Sequence, residues 1–171
     1  MQTVSANDFA TLALMEAIEA LQLVNAEALP DLLKALPKHS SDPGFALEWR
    51  KSGTQLTSGE KAQLGISARA FMSKELLAQL TPQGMCAPLS AHETTLQRAS
   101  FSLSRYHNLE QARLASLPLS VRRVCPSTTD CLQIDAWAEP EAFDPLPPIE
   151  CRDSNYRTCR SIFTFRRKGR V

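Results

Sequence analysis

Four prolines within nine residues, Pro140, Pro145, Pro147 and Pro148, place the firmest limit on how this chain can fold. Each fixes φ and lacks an amide donor, so the stretch reads as a stiff extended arm that can neither continue a helix nor fill a central strand. Upstream of it, apolar residues recur at helical spacing. On either side of it, Val121–Val124 and Ile162–Phe165 are short β-prone segments. The expectation is a mainly α protein. A small helical body would span residues 1–117, and a cysteine-rich, proline-rich basic tail over 118–171 would contain a short β-hairpin or strand pair. The tail is too small to build a large core unaided, so it must dock on the body or be stapled.

Within the body, Asp8–Val24 carries Glu16, Glu19 and Gln22 on a polar face and Leu14, Ile18 and Leu21 at apolar spacing, with Asn7 or Ser5 as N-cap. A second short helix is expected over Pro30–Leu36, with proline tolerated in its first turn. Residues Pro37–Gln55 read as a loop, because Ser40, Ser41, Asp42, Pro43 and Gly44 are turn formers. The alternation of Phe45, Leu47 and Trp49 suggests a brief strand inside it. Thr57 with Glu60, Ser90 with Glu93 and Asn108 with Gln111 have capping-box lettering and mark three helix starts. Ser67–Leu80 reads as a helix closed by Pro82 and Gly84. After Ser90, Leu96, Ala99, Leu103 and Tyr106 form a stripe expected to be core.

Hydrophobic residues make up 43% of the 171 and charged residues 22%, which fits a packed core rather than a disordered chain. The formal charge is only +1, so nothing about the whole molecule demands nucleic acid or an acidic membrane. Its distribution is uneven, however. Arg157, Arg160, Arg166, Arg167, Lys168 and Arg170 fall in the last fifteen residues with no acid among them. No basic, apolar leader opens the sequence, since Asp8, Glu16 and Glu19 interrupt the first apolar stretch, and no window approaches a bilayer span. The expectation is a cytoplasmic protein without a membrane partner, in a compartment that keeps thiols reduced.

Four of the five cysteines, Cys125, Cys131, Cys151 and Cys159, lie in the tail. Two pairs separated by a longer gap is the arrangement that gathers four sulfurs around structural zinc, although the spacing inside each pair is wider than usual. Pro126–Asp130 supplies turn residues between the first two. Metal binding could contribute on the order of 10 kcal/mol to folding, the scale a tail with little core requires. Two disulfides, Cys125–Cys131 and Cys151–Cys159, or unligated thiols, remain open alternatives. Cys86 stands alone, and a catalytic role would need a base such as His92 or His107 beside it. His39, His92 and His107 read as surface or capping residues.

The six basic residues from Arg157 to Arg170 are the expected partner-binding set. With Tyr156, Phe163 and Phe165 among them they suit an acidic protein surface, or nucleic acid if the arginines meet phosphates and the aromatics meet bases. The alternation of Phe163 and Phe165 with Thr164 and Arg166 is equally that of a strand with one face buried. The chain has no Gly-rich phosphate loop, no His-Glu-x-x-His, no Gly-x-Ser-x-Gly and no Cys-x-x-Cys. No catalytic residue is therefore assigned, and no small-molecule substrate is expected. A cysteine- or metal-dependent enzyme is the remaining alternative.

The order of features over residues 94–160 resembles the C-terminal segment of Mu-type phage minor head proteins. The parts are a helix at Thr94–Ser116, a strand at Val121–Val124, a cysteine-bearing turn at Cys125–Cys131, the prolines of Pro140–Pro148 and a final pair at Cys151–Cys159. The resemblance implies a non-enzymatic role in particle assembly, in a phage or mobile-element context.

Overall fold

A computed structural model describes residues 6–42, 44–115, 119–124 and 162–167. Among these the chain is mainly helical, with six α-helices and one two-stranded antiparallel sheet near the C-terminus. It forms two compact units, one of residues Ala10–Ser100 and one of Met1–Phe9 with Phe101–Val171. The boundary expected near residue 117 lies outside the described residues.

The Ala10–Ser100 unit takes up most of α1 (Ala6–Leu21). Ala13, Leu14 and Ala17 are fully buried there. Asn7 lies within the helix and does not cap it, while Ser5, the other expected cap, lies outside the described residues. After a 3-10 turn at Ala26–Ala28, α2 runs from Leu29 to Ser41 and buries Leu32, Ala35 and Leu36. The loop expected from Pro37 is thus overturned. Pro37 sits inside α2, and the hydroxyls of Ser40 and Ser41 donate to the carbonyls of Leu36 and Pro37, both at 3.0 Å. Burial of the apolar face outweighs the lost amide bond, and Lys38 and His39 suit the negative end of the helix.

The strand expected at Phe45–Trp49 is also a helix, α3 (Phe45–Lys51). Asp42 starts it by accepting from the Gly44 amide at 2.8 Å, and Phe45 stacks on Trp49 one turn later, with centroids 5.7 Å apart. A spacing of four satisfies both a period of two and one helical turn, which is why the alternation misleads.

The helix expected from Thr57 is present as α4 (Ser58–Gln63) with both bonds of the capping box: the Thr57 hydroxyl accepts from Glu60 N at 3.2 Å, and the Glu60 carboxylate accepts from Thr57 N at 2.7 Å. Beside the Lys74 ammonium, and accepting from Thr57, the Glu60 carboxyl is lowered to about 2. The helix closes on Gly65 at φ +65°. Ile66 N bonds Lys61 O at 2.8 Å and Gly65 N bonds Ala62 O at 3.2 Å, a paired closure that buries Ile66.

Of the long helix expected over Ser67–Leu80, only α5 (Lys74–Ala78) forms. The residues before it are drawn into an extended contact instead. Leu56 N bonds Met72 O at 3.0 Å, Lys74 N bonds Thr54 O at 2.8 Å, and Met72 is fully buried. A second bridge, Val24 to Leu80, joins the end of α1 to the end of α5. Gly84 follows so closely that a Cβ there would lie 1.9 Å from the Leu23 carbonyl oxygen.

The last helix, α6 (Ala91–Leu114), begins where Ser90 foretells but continues past Asn108, which is an interior residue and not a start. Leu96 and Ala99 are fully buried as expected, whereas Leu103 and Tyr106 are only half-buried. The buried line also includes His92, Thr95, Arg98, Ser102 and Arg105. Arg98 is held by Glu16, its Nε and Nη2 donating to one carboxylate oxygen at 3.2 and 2.7 Å.

In the other unit, Leu109 and Ala112 of α6 pack on Val121, with Leu119 alongside. Phe9 stacks parallel to Tyr106 at 5.6 Å. Strand β1 (Leu119–Val124) pairs antiparallel with β2 (Ile162–Arg167), as the two β-prone segments foretell.

Candidate partner-binding ribbon

Valine, isoleucine, threonine and phenylalanine favour the pleated backbone of β1 and β2, and Val121 anchors the pair. It is fully buried against Leu109 and Ala112 and stands opposite Phe165 in the register. Phe165 itself is 37% exposed, an aromatic ring left partly in solvent. Arg166 and Arg167 follow it and are exposed. The pairing Leu119–Arg167, Ser120–Arg166, Val121–Phe165 and Arg122–Thr164 carries these residues onto two faces of one ribbon. Leu119, Val121, Phe165 and Arg167 share one face. Ser120, Arg122, Thr164 and Arg166 share the other. The Thr164 hydroxyl donates to the Arg122 carbonyl at 3.2 Å, a cross-strand bond that adds to the ladder.

The ribbon brings together four arginines, Arg122, Arg123, Arg166 and Arg167, with no acid among its twelve residues. Two of them, Arg166 and Arg167, belong to the basic set expected from sequence. Arg122 and Arg123 do not, and only the pairing of β1 with β2 reveals that they extend it. The strand pair is among the expectations, but the basic set is not carried across it; the register sets Arg122 and Arg123 on the strand beside β2. Arg157, Arg160, Lys168 and Arg170 lie outside the described residues, as do Cys125, Cys131, Cys151 and Cys159. Among the described residues no group of three or more histidine, cysteine or acidic side chains could hold a metal ion.

Cys86 is exposed at the end of a 3-10 turn, its Sγ 3.7 Å from the Pro82 carbonyl. His39 lies in the last turn of α2, in keeping with a surface or capping role, and His107 is exposed on α6. His92 departs from that expectation. It is 7% exposed, its ring meets Trp49 edge-on at 5.3 Å, and Nε2 lies 3.0 Å from Gln79 Oε1. Gln79 Nε2 donates to Asp31 at 2.9 Å, so its oxygen faces the imidazole and His92 Nε2 carries a proton that it donates to Gln79 Oε1. Burial lowers the His92 pKa from 6.5 to about 4. His92 is therefore a packing residue.

A cleft of about 480 Å³ opens beside the end of α1, lined by Ile18, Glu19, Gln22, Asn25, Pro82 and Gln83 among others. Among the described residues that line it, Glu19 is the one ionisable group. Among the described residues no helix is long and apolar enough to cross a membrane. No family model matches this chain, nor does any curated protein or solved structure.

Proposed function

We propose that this chain is a non-catalytic interaction and assembly protein whose basic C-terminal ribbon docks on a protein partner. The observation that carries the reading is the pairing of β1 with β2, which sets a partly exposed Phe165 beside Arg166 and Arg167 on an acid-free ribbon. Aromatic and arginine side chains supply most of the energy of protein interfaces, and a paired strand holds them in place before binding. In this reading Arg157, Arg160, Lys168 and Arg170 extend the surface. A zinc ion or two disulfides at Cys125, Cys131, Cys151 and Cys159 staple the connection between the strands. The likeness to phage minor head proteins supports an assembly role, and the reading places the protein in the cytoplasm.

A second reading, nucleic-acid binding, is favoured by the other face. Ser120, Arg122, Thr164 and Arg166 share it, and guanidinium and hydroxyl groups are the usual contacts of phosphates.

The experiment isolates the chain with its bound partner from its own cells and washes the complex at rising salt. A protein partner stays bound at about 1 M salt, where the Debye length is about 3 Å, and is lost with Phe165→Ala. Release at moderate salt of a nuclease-sensitive ligand overturns the protein reading in favour of the second. Retention of every partner by a Phe165→Ala, Arg166→Gln, Arg167→Gln triple variant refutes both. Zinc analysis with a thiol count in denaturant tests the staple: one zinc per chain with all thiols free marks the metal, and one free thiol without zinc marks two disulfides.

A further inference from the structure

The first 33 residues hold five acids, Asp8, Glu16, Glu19, Glu27 and Asp31, and no lysine or arginine, while the last fifteen hold six bases and no acid. The two ends of the sequence are therefore electrostatic opposites. Each also presents apolar surface. On α1, Leu12 is 47% and Met15 53% exposed, one turn apart, and the exposed Glu19 continues the stripe one turn further. Large apolar side chains grouped on one helix face mark contact surfaces more often than single exposed ones do.

The stripe runs into the cleft at the end of α1, where Ile18 and Pro82 are flanked by Glu19, Gln22, Asn25 and Gln83. No basic residue lies in the last turn of α1. The helix end is its negative pole, and Glu19 adds a carboxylate to it, so the spot attracts a cation that the helix itself does not provide. At the other end of the sequence, β2 offers the matching chemistry in Phe165, Arg166 and Arg167.

We propose that the Phe165–Arg167 end of the ribbon of one molecule docks on the Leu12, Met15 and Glu19 face of a second copy, so that copies associate head to tail. Phe165 covers Leu12 and Met15, and Arg167 meets Glu19 and the terminal carbonyls of α1. The two surfaces are unlike, so in a bound pair one copy keeps a free face and the other a free ribbon, and the contact can propagate. The proposal rests on the ribbon being a protein-docking surface, and it names the partner as this same chain.

The test is light scattering and sedimentation of the full chain over a concentration series from about micromolar to about millimolar. The wild-type mass rises with concentration. Met15→Lys, which spoils the face, and Phe165→Ala, which spoils the ribbon, each weaken association at least about tenfold; Met15 is 53% exposed, and because Phe165 is only 37% exposed, unchanged far-UV circular dichroism of each variant is checked first. Mixing the two variants is decisive. The intact ribbon of Met15→Lys meets the intact face of Phe165→Ala, giving particles of two chains and none larger. A wild type that stays monomeric throughout overturns the proposal. So does undiminished association by either variant, or a mixture that forms no pairs. If association fails yet a separate protein partner is still lost with Phe165→Ala, only the identity of the partner falls. If no protein partner depends on Phe165, the ribbon reading falls with it.

Discussion

Protonating His92 should destabilise the fold by an amount the structure allows to be worked out. The ring is 7% exposed, edge-on to Trp49 and beside Leu76, Pro88 and Leu96, in a site with only about 10 Å³ left over. Burial alone lowers its pKa, from 6.5 to about 4. Above pH 6.5 the ring is neutral in both folded and unfolded chains, so stability is independent of it. Between 6.5 and 4 the unfolded chain takes up a proton that the folded chain refuses, and stability falls as the pH falls. Below about 4 both forms are protonated and the effect is complete. At about 1.4 kcal/mol per pH unit, the loss amounts to about 3 kcal/mol. That is a large part of the 5–15 kcal/mol typical of a domain.

The assay is urea unfolding of wild type and His92→Gln at a ladder of pH values from about 7.5 to 4. His92→Gln loses the Trp49 contact and starts from lower stability, so slopes are compared and not absolute values. Glu60, lowered to about 2 in the folded chain, is common to both proteins. The wild type should lose about 3 kcal/mol more than the variant across the range. Parallel curves would refute the reasoning, because the buried neutral imidazole would then contribute nothing to the pH response.

Three further outcomes follow from contacts described above. Glu16→Gln removes the charge that compensates the 9% exposed Arg98 side chain and should cost about 3 kcal/mol in urea unfolding, while Glu19→Gln on the exposed face should cost under about 0.5. Gly84→Ala forces a methyl group to 1.9 Å from the Leu23 carbonyl oxygen, and because that atom is backbone the strain should exceed about 2 kcal/mol, read as a lowered Tm. Thr57→Ala removes the hydroxyl that accepts from Glu60 N and should cost about 1 kcal/mol, with Thr57→Ser restoring most of it.

The elements legible in sequence were those whose signal is local. The lettering of Thr57 and Glu60 is a complete hydrogen-bonding unit within four residues, and it forms as written. The two β-prone segments pair because Val121 finds apolar cover on Leu109 and Ala112. What failed was decided by distant partners. Ser67–Phe71 has helical composition, but Met72 is claimed by Leu56 across an extended contact, which leaves room for α5 only after Ser73. Pro37 reads as a stop, yet the packing of Leu32, Ala35 and Leu36 carries α2 through it. The buried arginines and histidine of α6 could not be foreseen either, since their partners lie far off in sequence, Glu16 being 82 residues from Arg98. The candidate site was half legible. Arg166 and Arg167 stand out by charge alone, whereas Arg122 and Arg123 join them only through register.

The pairing of β1 with β2 has a thermodynamic corollary. The strands are joined by residues 125–161, 37 in all, so zipping them together first requires closing a loop of that length. Chain statistics put the cost at about 3 kcal/mol, incurred before the ladder returns anything. Such a ribbon is a late-forming element, and it depends on whatever shortens the connection. All four tail cysteines fall within it, Cys125 directly after β1 and Cys159 three residues before β2. A linkage that spans the two cysteine pairs shortens the effective path between the strands and offsets much of the closure entropy. Bridges confined to Cys125–Cys131 and Cys151–Cys159 bypass only residues 126–130 and 152–158 and leave about two-thirds of the span open, which lowers the closure cost little.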